Sequence, residues 1–564
     1  MGGPSRTSNS TTGNVLLARS YASYDELSRA YQRQAELFMP SGVAPSRPVV
    51  LSEGDLTPGD GRVTNFTDYD RSSRVTFVTQ ASPANALEQS RTFYDGLSRS
   101  IKVVDPDGNE VQTVYDKNSN AVKVTVIEKH PTGRIAPQTF VTLNVFDSLN
   151  RLSRTTDTLG QTRRFYYDSR NLLIRSSDAQ GPAIADPLGL FAGQINADGN
   201  VSETVHDGLG RVLWTMRQLT TDGQGGSPLD TTNPTNPDGK IIETKTWDAN
   251  SRLVSVADDK GNMTAYQYDN LNRRLTTTFA DGTATVSVFD KDSNLIRYTD
   301  NNGSVIDGSF DAVGRLVQRM ITPAADNGVK GTTLQTFEYD GLSRITRATD
   351  NNDPANLEDD STVSRLYDSF SRMIEEQQNG KAISANWTQE STPVDLTYPN
   401  GRKLEYTLDK LNRLKSITSG GKSIANYDYI GGRMIEKILG NATKLTLLND
   451  AGSADEGHDA LGRLVKMRHV GPSANLLAGF EYTYNRENFK TATKDLQTSQ
   501  LSEIYKLDSV YRIVDFKRGT LNAQNDGIEG TPVNTQAWAL DGVGNWANTV
   551  VDGTTQTQVA NNMN

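Results

Sequence analysis

The stretch "TAYQYDNLNRRL", residues 264–275, sets an aromatic residue, an aspartate and an arginine in the order Tyr268-Asp269, three residues, Arg273. Such a trio reads either as an acid with a cationic partner or as a turn. Recurrence separates the two, because a repeat architecture needs the same turn in every unit whereas an active site is needed once. The pattern recurs at Tyr69-Asp70…Arg74, Tyr94-Asp95…Arg99, Phe146-Asp147…Arg151, Trp247-Asp248…Arg252, Phe310-Asp311…Arg315, Tyr339-Asp340…Arg344 and Tyr367-Asp368…Arg372. With histidine first it stands at His206-Asp207…Arg211 and His458-Asp459…Arg463. Degenerate copies, with Asn or Leu in the arginine slot or Leu in the aromatic slot, begin at Tyr115, Tyr167, Phe289, Leu408, Leu507 and Leu540, and looser ones lie near Tyr427 and Tyr484. The first residues 247, 268, 289 and 310 define a period of 21.

Each unit reads as a β-hairpin. "WDANSRLVSVADDKGNMTAYQ", residues 247–267, gives a turn at Asp248–Ser251, a strand over 252–257, a turn at Asp258–Gly261 and a second strand from Asn262. In that strand Thr264, Tyr266 and Tyr268 share one face, and Met263, Ala265 and Gln267 the other. Aspartate entering a tight turn accepts a bond from the backbone two residues on, and the Gly, Asn or Ser before the arginine suits a positive φ. The second turn repeats the theme at Asp105-Pro-Asp-Gly108, Asp157-Thr-Leu-Gly160, Asp178-Ala-Gln-Gly181 and Asp300-Asn-Asn-Gly303. Tyrosine and arginine are expected to stack or hydrogen-bond between hairpins, at about 0.5–1 kcal/mol for an exposed contact. Eighteen copies from Tyr69 to Leu540 imply about 36 strands. Units longer than 21 residues place their excess in insertions at 125–140, 182–200, 220–240, 351–362 and 385–400.

Upstream, "SYDELSRAYQRQAELF" carries Tyr24-Asp25 and Arg29, but Ser23 and Glu26 form a capping box. Tyr24, Leu27, Tyr31, Ala35 and Phe38 fall at helical spacing. The spacing predicts a short helix, so the organisation expected is a disordered leader over 1–22, a helix and linker over 23–65, and a repeat array over 66–564. A chain of 564 residues exceeds one compact core, and the period favours an array over separate domains. The balance of 58 basic against 68 acidic residues, with no basic run, argues against nucleic acid as a partner. With no cysteine, disulfides, thiolate metal sites and cysteine nucleophiles are excluded. No apolar run reaches the roughly 20 residues of a membrane span, and the N-terminus lacks the regions of a secretory signal.

The motif Tyr-Asp-x-x-x-Arg-Leu, with its second turn Asp-x-x-Gly, resembles the YD repeats of the RHS (rearrangement hotspot) family from about residue 66 onward. The resemblance implies an all-β fold in which hairpins pair into one long antiparallel sheet that spirals into a hollow shell. Relatives include shells of bacterial polymorphic toxins, encapsulating components of insecticidal toxin complexes, and teneurins. It further implies a non-catalytic scaffold, secreted or at the cell surface, with a C-terminal toxin cargo or delivery machinery as partner. The alternative is a secreted or cell-surface protein whose insertions bind a glycan or another protein. Toxin-carrying members end their shell with an Asp-Pro-x-Gly motif and self-cleavage; here "DPLGL", Asp186 to Leu190, lies amid the repeats and reads as a loop. The final "VDGTTQTQVANNMN" reads as part of another unit, as expected of a piece of a longer protein or of a type without cargo.

Little else suggests chemistry. Of the histidines His130, His206, His458 and His469, two occupy the aromatic slot, and no zinc-protease, nucleophile-elbow or phosphate-loop motif is present. No catalytic, cofactor or metal residue is therefore assigned. Asp290-Lys-Asp-Ser-Asn294 and Asp105-Pro-Asp-Gly-Asn-Glu110 alternate oxygen ligands as calcium loops do, but neither completes an EF-hand and both fall in expected turns. Trp247-Asp248 allows a propeller with a 42-residue blade as the alternative fold.

Overall fold

The computed structural model describes residues 19–36, 62–81, 87–232, 236–324, 331–352, 356, 358–387 and 392–558. The cleanest repeats show how the sequence makes the sheet. Strands Lys240–Trp247, Leu253–Ala257, Met263–Tyr268 and Arg274–Thr278 pair in succession, all antiparallel. Between the first two, the Asp248 N–H donates to the Arg252 carbonyl at 3.0 Å and the Ser251 N–H to the Asp248 carbonyl at 3.1 Å. Ser251 sits at φ 61° and the register shifts between Thr246 and Trp247. This is a type I turn closed by a left-handed residue and a bulge, the usual three-residue hairpin connection. The Asp258 turn repeats the two bonds, with Gly261 at φ 80°. Gly, Ser and Asn recur at this slot because an aliphatic side chain there costs roughly 1–2 kcal/mol.

Of the described strands, forty-one belong to one antiparallel sheet; the other two, Ala183–Ala185 and Gln194–Asn196, pair inside the 182–200 insertion. A single sheet of that extent excludes the propeller, whose blades are separate four-stranded sheets. Among the described residues the only helical turn is the 3-10 turn Ser499–Leu501.

The short N-terminal helix is not formed. Arg19–Tyr24 and Ala30–Glu36 make a hairpin, and Ala30–Glu36 pairs onward with Arg62–Tyr69. Asp25 and Arg29 form the same turn as the clean copies, with Ser28 at φ 60°. The helical signals were local and short, and helices of this length gain little without tertiary packing. Strand pairing to residues 26 to 34 positions away outweighs them. Of the expected leader, residues 1–18 lie outside the described residues, as does the linker from 37 to 61.

The chain divides into two compact units, each assembled from two separate runs: Met1–Asn109 with Thr285–Asp428, and Glu110–Ala284 with Tyr429–Asn564. Among the described elements, substantial contact is confined to strands that neighbour each other in a sheet and to the 3-10 turn against its adjoining strand. The sheet is thus one layer thick, and stability comes from hairpin-on-hairpin stacking. Val111, Val114, Met263, Val286 and Val288 accordingly remain exposed. A local apolar core forms in the second unit, where Ile135 of the 125–140 insertion meets Ile430, Ile435 and Leu448.

Candidate functional site

The aromatic-Asp-Arg trio is a turn with a link attached. Within each turn the carboxylate is saturated: Asp95 Oδ1 accepts the Leu97 and Arg99 N–H groups at 2.9 and 3.0 Å, and Oδ2 accepts Arg99 Nε at 2.7 Å. The same set holds at Asp70, Asp147, Asp248, Asp269, Asp311, Asp340 and Asp368 with Arg74, Arg151, Arg252, Arg273, Arg315, Arg344 and Arg372. The arginine N–H beside Asp70, Asp95, Asp147, Asp248, Asp269 and Asp311 holds each carboxyl below its ordinary range. At the Asp105 and Asp258 turns asparagine takes the arginine's place, Asn262 Nδ2 reaching Asp258 Oδ2 at 2.9 Å. Asp290 and Asp105, read as calcium-loop candidates, are engaged by their own turns in this way.

Arginine makes a second contact as well. Arg74 Nη1 donates to the Asp95 carbonyl at 3.0 Å, and its guanidinium lies 4.9 Å from the Tyr94 ring centre. Tyr94 returns the link, its hydroxyl donating to the carbonyl of Val75 at 2.8 Å. Arg252 with Tyr268 and Asp269, Arg315 with Tyr339 and Asp340, and Arg344 with Tyr367 and Asp368 repeat this. Trp247 substitutes its Nε1, donating to Val212 at 2.7 Å, with Arg211 below it. Phe146 and Phe310 fill the slot without a donor. These arginines therefore lock their own turns and clasp the next one in the chain. One pair, Arg372–Asp368, is nearly sealed from solvent, the side chains 7% and 1% exposed.

Each unit also has contacts that no local pattern announced, made across separations of 281 to 333 residues. They join second turns of one run to aromatic-Asp turns of the other. In the first unit Arg413 Nη2 bonds Asp107 Oδ2 at 2.8 Å. In the second, Arg433 bonds Glu128 at 2.7 Å, Arg163 bonds Glu487 at 2.6 Å, Ser509 Oγ donates to the Gln218 carbonyl at 2.7 Å, and Lys260 bonds Asp541 at 3.0 Å. Three insertions are built into this seam rather than left free. The 125–140 segment supplies Arg134 to the Gly452 carbonyl, and the 220–240 segment takes the Ser509 hydroxyl on its Thr220 N–H. The 182–200 segment opens the expected Asp178–Gly181 turn, since the Asp178 N–H now donates to the Asn200 carbonyl. Of residues 385–400, read as an insertion, the described ones are mostly strand, with Trp387 opposite Pro393.

The seam holds the unusual ionisable groups. Burial pushes the carboxyls of Asp107, Asp157, Asp178 and Asp259 up, the reverse of the turn aspartates. The Tyr511 hydroxyl donates to Asp178 Oδ2, and burial and that carboxylate both raise the phenol. Tyr511 stands in the left-handed slot at φ 70°, stacked on Phe489 at 4.4 Å. A bulky residue in a slot otherwise given to small ones such as Ser, Asn, Gly or Ala was the signal in the sequence that marked it.

His458 belongs to the seam as well. Its Nδ1 is 2.9 Å from Asp455 Oδ2, an oxygen that Gln138 also reaches at 2.8 Å. Burial works to raise Asp455, but His458 and Gln138 outweigh it and the carboxyl lies low. The "DPLGL" motif is a closed loop: Asp186 bonds Arg154 at 2.7 Å and accepts the N–H groups of Leu188, Leu190 and Phe191. Burial opposes ionisation there, yet these donors hold the carboxyl far below its usual range. Among the described residues no cluster of His, Asp or Glu is arranged to hold a metal, and no helix is long and apolar enough to cross a membrane.

The family model described as RHS Repeat matches residues 146–183 and 247–284. No curated protein sequence matches the chain. Solved structures do. One, a crystal structure of TcdB2-TccC3-TEV, aligns over 92% of this chain and 28% of its own, at TM-score 0.60 and 12% identity. Another, a Photorhabdus luminescens Tc holotoxin pore bearing a TccC3 point substitution, aligns over 97% of this chain and 33% of its own, at TM-score 0.62 and 12% identity. The clasped hairpins and the single sheet agree with these matches: the chain carries RHS repeats at residues 146–183 and 247–284, and its fold is similar to about a third of the solved chains it matches.

Proposed function

We propose that the chain is a non-catalytic scaffold forming part or all of an RHS-type shell, secreted in its native setting, which in a longer parent would enclose a C-terminal toxic polypeptide. In this reading every Tyr, Asp and Arg of the repeat is structural. The observation that carries it is the pairing of runs in each unit, where the second-turn edge of one run meets the aromatic-Asp edge of the other. Turns that meet through ion pairs and hydrogen bonds hold the two runs of each unit side by side, as a continuous wall requires. The insertions support the same reading, because three of them fill that seam. The fold likeness to toxin-complex structures is in keeping with toxin cargo or delivery machinery as partner.

Two experiments test it. The chain has no cysteine, so Thr220→Cys with Ser509→Cys places one thiol on each side of the seam. A short bismaleimide should then close a covalent loop seen as a mobility shift in denaturing gels; absence of the shift would contradict the paired runs. For enclosure, an unfolded test polypeptide fused after Asn564 should resist protease, and digestion as fast as the free polypeptide would refute it.

A further inference from the structure

In eight of the described repeats the arginine of one turn lies under the aromatic ring of the next, 4.7–5.8 Å from its centre. Arg512 is held like the rest, its Nε 2.7 Å from Asp508 Oδ2 and its Nη1 2.6 Å from the Asp541 carbonyl. The next aromatic slot, however, holds Leu540. Among the described residues no ring covers Arg512, and a cavity of 270 Å³ opens there. Its lining includes Arg512, Leu507, Leu540 and Trp538, and on the side of the 220–240 insertion Thr221 and Asp230. That volume falls below the roughly 300–1,000 Å³ of pockets for larger ligands, so it suits one ring.

We propose that this cavity is a docking site for a tyrosine side chain of a partner polypeptide, its phenol ring lying over Arg512 and beside Trp538. The other repeats show what the position accepts. Tyr484 lies 5.0 Å from Arg463 and donates its hydroxyl to the carbonyl of Leu464, the residue after that arginine. The corresponding carbonyl here is that of Ile513. A guanidinium fixed by two bonds presents its face without further ordering, and cation–π attraction to an incoming ring is strongest where water is excluded. The inference is independent of whether the wall encloses anything.

The chain has five tryptophans, so a 15N-tryptophan spectrum has five indole signals, and Trp538→Phe assigns the one that matters. N-acetyl-L-tyrosinamide should shift the Trp538 signal saturably, with half-saturation at about millimolar concentration for a ligand of that size. N-acetyl-L-leucinamide should not. Leu540→Tyr, which fills the slot from within, should abolish the shift while preserving the other four signals; if that variant fails to fold, Leu540→Phe serves the same purpose. No saturable shift, an equal shift with the leucine probe, or an undiminished shift in the filled variant would each overturn the proposal.

Discussion

Arg372→Ala offers the sharpest test of the clasped turn. Arg372 Nε lies 2.6 Å from Asp368 Oδ2 and the two side chains are 7% and 1% exposed. Removing the guanidinium strands a buried carboxylate, which costs roughly 3–5 kcal/mol in comparable pairs. Asp368 Oδ1 still accepts the Phe370 and residue-372 N–H groups at 2.9 and 3.0 Å, so the lower end, about 3 kcal/mol, applies. Opening of the local hairpin should then become about a hundredfold more frequent. The assay is hydrogen exchange of strands Ser361–Tyr367 and Met373–Gln378, which flank the turn. The control is Arg297→Ala, which breaks an exposed cross-strand pair with Asp307, the side chains 55% and 37% exposed. It should change exchange in its own strands by less than about tenfold. Equal effects from the two substitutions would refute the argument that burial in the turn, rather than ion pairing in general, gives the motif its weight.

Ala474 closes the Gly471 turn at φ 61° without a side-chain partner, so Ala474→Gly should raise stability by about 0.5–1 kcal/mol, read as a higher urea midpoint. Tyr511→Phe keeps the ring but removes the donor to Asp178, and should cost about 1.5–3 kcal/mol at pH 7. Burial raises the folded pKa of Asp178, so at pH 4 its carboxyl is more protonated and the same substitution should cost less. A loss that does not shrink in acid would contradict the pairing. The turn aspartates run the other way: their folded values are depressed, so the stability they give is present above the unfolded value, about 3.9, and is lost as pH falls through the folded values. Equilibrium unfolding between pH 5 and 2 should show that loss. Across the seam, a double-mutant cycle on Glu128 and Arg433 should give a coupling of about 0.5–3 kcal/mol.

The repeat was legible because its determinants are local. Aspartate, a residue tolerant of positive φ, and arginine fall within five positions of one another, so the turn and its partners can be read from a window of the chain. The reach of Arg74 to Tyr94 and Asp95 was legible too, since the next copy follows one period on. Arg29 shows the limit: the trio was present, but a capping box and helical spacing suggested a helix, and only pairing with Arg62–Tyr69 decides for the strand. The seam was illegible for a stronger reason. Arg163 and Glu487, or Lys260 and Asp541, meet only after some 300 intervening residues have folded, and no spacing rule links them. The place of the 125–140, 182–200 and 220–240 insertions was illegible for the same cause, their partners lying in the other run. Tyr511 alone left a trace, as a large residue where the turn wants a small one.

The proposed shell requires that the single-layer sheet of clasped hairpins wind into a closed wall. Single-particle electron microscopy of the purified chain tests it directly. The account predicts a thin wall one strand-layer deep, curved around a central void, with the ends of the 125–140 and 220–240 insertions embedded at the junction of successive runs. A flat or rod-like sheet with a free edge, or a solid particle with no void, would contradict it.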